Sequence, residues 1–90
     1  MSKHSLSSYI KDYFIPMMDI PIDESVKNNF LSAIDKKNRK EVELWYPEIL
    51  KTAIISGDHN QCKIHFNRMR FDINAEIGTT FPFVYDIEFS

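Results

Sequence analysis

Residues 61–77 read QCKIHFNRMRFDINAEI, and the fold class turns on how they are taken. Cys62, Ile64 and Phe66 alternate with Lys63, His65 and Asn67. Beyond Asn67-Arg68, the residues Met69, Phe71, Ile73, Ala75 and Ile77 alternate with Arg70, Asp72, Asn74 and Glu76. A period of two is the mark of a half-buried strand, because successive side chains point to opposite faces of a sheet. The alternation returns at Phe81, Phe83, Tyr85, Ile87 and Phe89. The stretch and its sequel therefore predict three strands, about 61–66, 69–77 and 81–89.

Parity sets the register, since directly opposed residues of an antiparallel pair share a face. The second and third strands carry their apolar set on the same parity, so a three-residue loop, Gly78-Thr79-Thr80, joins them. The first and second have opposite parity, and Asn67-Arg68 becomes a two-residue turn, with a four-residue loop as the alternative because Arg suits a type I′ turn poorly. On this register Phe71, Ile73, Phe83 and Tyr85 form the sheet's core face.

Upstream the period is helical. Leu6, Tyr9, Ile10, Tyr13, Phe14 and Met17 make an amphipathic stripe behind the N-cap candidate Ser5, and Pro16 ends that helix near Ile15. Met17-Met18-Asp19-Ile20 is then a loop between Pro16 and Pro21. Asp23 caps a second helix, 24–37, marked by Val26, Phe30, Ala33 and Ile34. Asn38 with Glu41 resembles a capping box. It opens a third helix, 39–55, with the stripe Val42, Trp45, Tyr46, Ile49, Leu50, Ala53 and Ile54, interrupted by Pro47. A short strand over 52–56 is the rival for its end, and Gly57 is expected to stop the helix in the left-handed conformation. The expectation is one α+β domain over 1–90: N-terminal helices packed on one face of a C-terminal three-stranded antiparallel meander.

Composition bounds the function. Hydrophobic residues make up 43% of the 90-residue chain and charged residues 27%, as in ordinary globular proteins and unlike disordered ones. Two Gly exclude a glycine-rich phosphate loop, and a net charge of -2 excludes a chain that is basic throughout. The lone Cys62 cannot form an internal disulfide, the polar start MSKHSLSS is no leader, and no run is apolar enough for a membrane span. The chain reads as complete and cytoplasmic, of a bacterial type.

Four groupings invite chemistry. On the expected sheet, His65, Arg70 and Glu88 share an outer row that would suit a small ribonuclease-like site, though cross-strand charge pairing explains the row more simply. His59, Cys62 and His65 are spaced three apart, but strand geometry sends Cys62 and His65 to opposite faces, so neither a metal nor another cofactor is expected. Lys36-Lys37-Asn38-Arg39-Lys40 gathers four of the 11 basic residues, the one cluster suited to phosphates in a nucleic-acid-associated regulator. Asp19, Asp23 and Glu24 lie beside Met17 and Met18, where charge meets adaptable apolar contacts. No family resemblance emerges and no catalytic residue is expected.

The function expected from these residues is protein binding, as an inhibitor or immunity protein that neutralises a basic toxin such as a nuclease. Candidate contacts are Met17, Met18, Asp19, Asp23 and Glu24 on the loop, with Asp72, Asp86 and Glu88 on the outer sheet face. The strand 81–89 would offer an edge for a partner strand or a homodimer.

Overall fold

The computed structural model describes residues 5–78, and among them it contains four helices and no strand. The first, α1 (6–18), runs through Leu6–Tyr9, Ile10–Phe14 and Ile15–Met18 without a break. It is followed by α2 (Glu24–Asp35), α3 (Arg39–Ser56) and α4 (His59–Ile77). The expected α+β meander is thus replaced by a helical bundle. Strands 61–66 and 69–77 are one helix, while 81–89 lies outside the described residues.

The reason lies in the same seventeen residues. Cys62, His65, Phe66, Met69 and Ile73 are the buried positions of α4, with Ile77 partly buried, and their spacings are those of a helical stripe. Cys62, Phe66, Met69, Ile73 and Ile77 satisfy both periods. Ile64 and Phe71 belong only to the alternating one, and they are 62% and 68% exposed. The helix also needs no phase break between Phe66 and Met69 and no positive φ at Arg68. Its ends are well marked: the Asp58 carboxylate accepts the Asn60 and Gln61 N–H groups (3.0 and 3.2 Å), and Gly78 closes the last turn at φ 79°.

Pro16 does not end α1. In a regular α turn its ring would meet the Asp12 carbonyl four residues back. Over Ile10–Phe14 the backbone instead adopts the wider π turn, with the Ile15 N–H donating to the Ile10 carbonyl, and the helix continues to Met18. Asp19 stops it in the left-handed region (φ 52°), donating its N–H to the carbonyls of Ile15 and Pro16. Ser5 is the N-cap, accepting the Ser8 N–H at 3.2 Å.

Asp23 caps α2 by accepting the Ser25 and Val26 N–H groups. The helix ends two residues before the expected Lys37, which itself takes the left-handed conformation. There the Lys37 N–H donates to Ile34 and the Asn38 N–H to Ala33, a Schellman closure built without glycine. Asn38 also caps α3, its Oδ1 accepting the Glu41 N–H at 3.2 Å. Its own N–H is thus committed to Ala33, which leaves only half of a capping box.

Helix α3 passes through Pro47 to Ser56, so 52–56 is helical. Gly57 is not left-handed as expected (φ -90°). Its value is space: a Cβ there would come within 2.5 Å of Cys62 Sγ, 2.8 Å of Ile20 Cγ2 and 2.9 Å of the Ala53 carbonyl oxygen. This close approach lets α3 turn directly into α4.

Short connections make neighbouring helices antiparallel. Ser7 near the start of α1 bonds Asp35 at the end of α2, and Lys37 lies 3.9 Å from Glu76 near the end of α4. The helices share one core in which Tyr46 of α3 stands edge-on to Phe30 of α2 and Phe66 of α4, with centroids 5.9 Å apart in both pairs.

Two stability measurements check this arrangement. Phe66→Ala should cost about 3–5 kcal/mol, whereas Phe71→Ala should change stability by less than about 1 kcal/mol. Denaturant unfolding in which Phe71→Ala proves the costlier would restore the meander. Gly57→Ala should lose about 1–3 kcal/mol, because one of the atoms crowding the new methyl is backbone.

Candidate functional site

The outer faces of α1 and α4 carry an apolar surface that no described element covers. Tyr9, Tyr13 and Met17 recur every four residues along α1 and are 44%, 42% and 49% exposed. Ile64, Arg68 and Phe71 repeat at i, i+4 and i+7 along α4. Tyr9 and Tyr13 stack with centroids 5.2 Å apart and planes 1° from parallel.

Beneath this pair lies a buried floor. Phe14 meets Tyr9 and Tyr13 edge-on at 5.0 and 5.4 Å. The His65 ring meets Tyr13 and Phe14 edge-on, both at 5.9 Å. A shallow cavity of about 180 Å³ opens here between Tyr9, Tyr13, Phe14, Ile64, His65 and Arg68. The aromatic pair is thus held from below by packed rings.

A second, polar groove of about 230 Å³ lies between α1 and α2, lined by Ser7, Ser8, Lys11, Asn28, Leu31 and Asp35. The buried Ser7 hydroxyl donates to the Asp35 carboxylate and lies 3.0 Å from the Ser5 hydroxyl oxygen. These bonds tie α1 to the end of α2.

The expected contact residues scatter. Met17 joins the apolar face, but Met18 is 2% exposed and belongs to the core. Asp19 is exposed at the end of α1. Asp23 spends its carboxylate on the α2 cap, and Glu24 pairs with Lys27 at 3.0 Å. Asp72 lies 3.7 Å from Arg68 on the same helix, not on a sheet, while Asp86 and Glu88 lie outside the described residues.

The His65, Arg70 and Glu88 row does not form. His65 and Arg70 are five residues apart on one helix, which puts them about 140° apart around its axis. His65 is packed on Tyr13 and Phe14, and Glu88 lies outside the described residues. The strand argument that separated Cys62 from His65 lapses too. Among the described residues no group of three metal-capable side chains is brought together. In the basic cluster, Arg39 bonds Glu43 at 2.8 Å and Lys37 faces Glu76, so part of its charge is met by carboxylates. Trp45 is half-buried against the core.

Sequence reasoning misses exposed Tyr9, Tyr13, Ile64 and Phe71 because it assigns all four to the core, and it misses buried His65 because it assigns it to an outer face. The available signal is width: α1 carries more apolar side chains than one buried stripe holds.

Among the described residues, two groups titrate away from their ordinary values. Burial pushes the Cys62 thiol up, and nearby Asp58 adds to it, so the thiolate is disfavoured and the sulfur packs as a buried apolar group. Burial likewise pushes the Tyr46 phenol well above its usual range, with the Arg70 charge opposing this in part. Compared with known proteins, the chain matches no family model, no curated protein and no solved structure.

The Tyr46 shift has a direction in pH. A phenol whose folded pKa lies above its unfolded value of about 10 leaves stability intact below pH 10 and drains it as pH rises further, by up to about 1.4 kcal/mol per unit. Thermal melts between about pH 9 and pH 12 should therefore fall more steeply for the native chain than for Tyr46→Phe. Parallel alkaline profiles would contradict the assignment.

Proposed function

We propose that this chain is a protein-binding module whose partner docks on the aromatic face of α1 and α4. The observation that supports this is the exposed, stacked Tyr9/Tyr13 pair, which shares a shallow cavity with Ile64 and Arg68, with exposed Met17 and Phe71 further along the two helices. Tyr, Met, Phe and Arg are the residue types enriched at interfaces, where rigid aromatic anchors supply contact area at small entropic cost. Contiguous apolar surface of this kind on a small domain marks an interaction site more often than an accident.

The sharper form of the proposal is an inhibitor of a basic toxin or nuclease acting in the cytoplasm, not an enzyme. Supporting it, exposed Asp12 and Asp19 stand beside the apolar row of α1. Acidic groups at the rim of an apolar centre speed encounter with a cationic partner, while the centre sets the lifetime of the complex. Cys62, buried and free, suits a reducing compartment. No helix among the described residues is long and apolar enough to cross a membrane.

The test is capture of the partner from a host extract by the tagged chain, its identification, and kinetic measurement against purified variants. Tyr9→Ala with Tyr13→Ala should weaken binding at least about tenfold, chiefly through faster dissociation, with helicity unchanged. Asp19→Lys should slow association and reduce its salt dependence. A double tyrosine variant that binds like the native chain would remove this face from consideration.

A further inference from the structure

We propose that the outer face of α3 is a self-association surface, on which two copies of this chain pair their α3 helices antiparallel. The face shares no residue with the α1/α4 surface, so the inference is independent of the proposed function.

Four side chains make the face. Leu44, Glu48, Lys51 and Ile55 follow at spacings of four, three and four residues, which on a helix is one straight stripe. At about 100° per residue the stripe lies opposite Val42, Tyr46, Ile49 and Ala53, the buried side of α3. All four are exposed, Leu44 by 60% and Ile55 by 75%, which makes Ile55 the most exposed large apolar side chain among the described residues. Partly buried Trp45 and Ile54 border the stripe and widen its apolar ends. Neither Glu48 nor Lys51 has an ion-pair partner among the described residues.

The order of the stripe is self-complementary. Leu44 and Ile55 lie equally far from the midpoint between Ile49 and Leu50, and so do Glu48 and Lys51. A two-fold axis through that midpoint sets Leu44 of one copy against Ile55 of the other, and Glu48 against Lys51, each contact being made twice. Two opposite-charge layers then lie between two apolar ones. Other pairings are worse. Parallel helices would oppose Glu48 to Glu48 and Lys51 to Lys51. Sliding the antiparallel pair by seven residues would set Leu44 against Glu48 and Ile55 against Lys51. The charges thus select one orientation and one register, the role that polar residues at seam positions play in coiled coils.

Size sets the strength. From Leu44 to Ile55 is about 17 Å of helix, and such a contact falls below the ~1,200 Å² of a standard interface. The dimer is therefore a weak one, with a dissociation constant in about the micromolar-to-millimolar range.

The test is sedimentation equilibrium of the full chain from about 10 µM to 1 mM, where the apparent mass should rise from one chain toward two. Glu48→Lys places four cations in the two inner layers and should weaken dimerisation at least about tenfold, with helicity and dilute-solution melting unchanged. Lys51→Glu should do the same with four carboxylates. Combining the two substitutions makes the stripe self-complementary again, and this double variant should dimerise within a few-fold of the native chain. Leu44→Ser should weaken the dimer through its apolar layers. A native chain that keeps the mass of one copy throughout would overturn the inference. A dimer indifferent to both single substitutions would overturn it too, and so would a double variant as weak as the single ones. Tyr9→Ala with Tyr13→Ala should leave the mass unchanged; if that pair abolishes the dimer, the copies meet through the α1/α4 face and the α3 inference falls.

Discussion

The Tyr46 ring is the contact on which the bundle depends. Standing edge-on between Phe30 and Phe66, it joins α2, α3 and α4 through one side chain, and its burial places a phenol where ionisation is strongly opposed. Edge-to-face pairs add about 0.5–1.5 kcal/mol each beyond the area they bury. They also fix ring orientation, so Phe66 dictates the rotation of α4 about its axis. Once Phe66 and Met69 face inward, Ile64 and Phe71 must face outward. The exposed face is therefore a geometric consequence of the core.

Helix α1 is held by a different set of contacts. His65 and Phe14 meet edge-on, and Ser7 bonds Asp35 at the opposite end of the helix. Both contacts are directional, and in fitting α1 to the bundle they add to the burial of Ile10, Phe14, Ile15 and Met18 in the core. The π turn over Ile10–Phe14 belongs to this fit, because it lets the chain carry Pro16 without surrendering the last turn. Aromatic surface rigidly presented in this way binds with a smaller loss of entropy than the same residues on a loop.

The three N-terminal helices were legible because their caps and stripes agree. Ser5, Asp23 and Asn38 all accept the N–H groups their positions imply. The fourth was not, because five of its apolar residues fit periods of two and 3.6 equally well. What separates the periods is punctuation: no Gly or Pro lies between Asp58 and Gly78, whereas two strands would need a turn. The parity change between Phe66 and Met69, which imitates a hairpin, is the trace of a helix. His65 was invisible as a core residue because its polarity hides an aromatic ring. Of the expected contact residues on this stretch, Met17 and Asp19 are exposed, while Met18 next to them is core, which a loop assignment could not have shown.

The three connections between helices carry a kinetic meaning. The link from α2 to α3 spans three residues and that from α3 to α4 only two, so most of the core is closed by segments adjacent in the chain. Low contact order of this kind puts helical domains among the faster folders, in about the microsecond-to-millisecond range. A core on such a scaffold is assembled within moments of synthesis. The time during which Phe14, Phe30, Tyr46 and Phe66 are exposed on an unfinished chain, open to the wrong neighbours, is correspondingly brief.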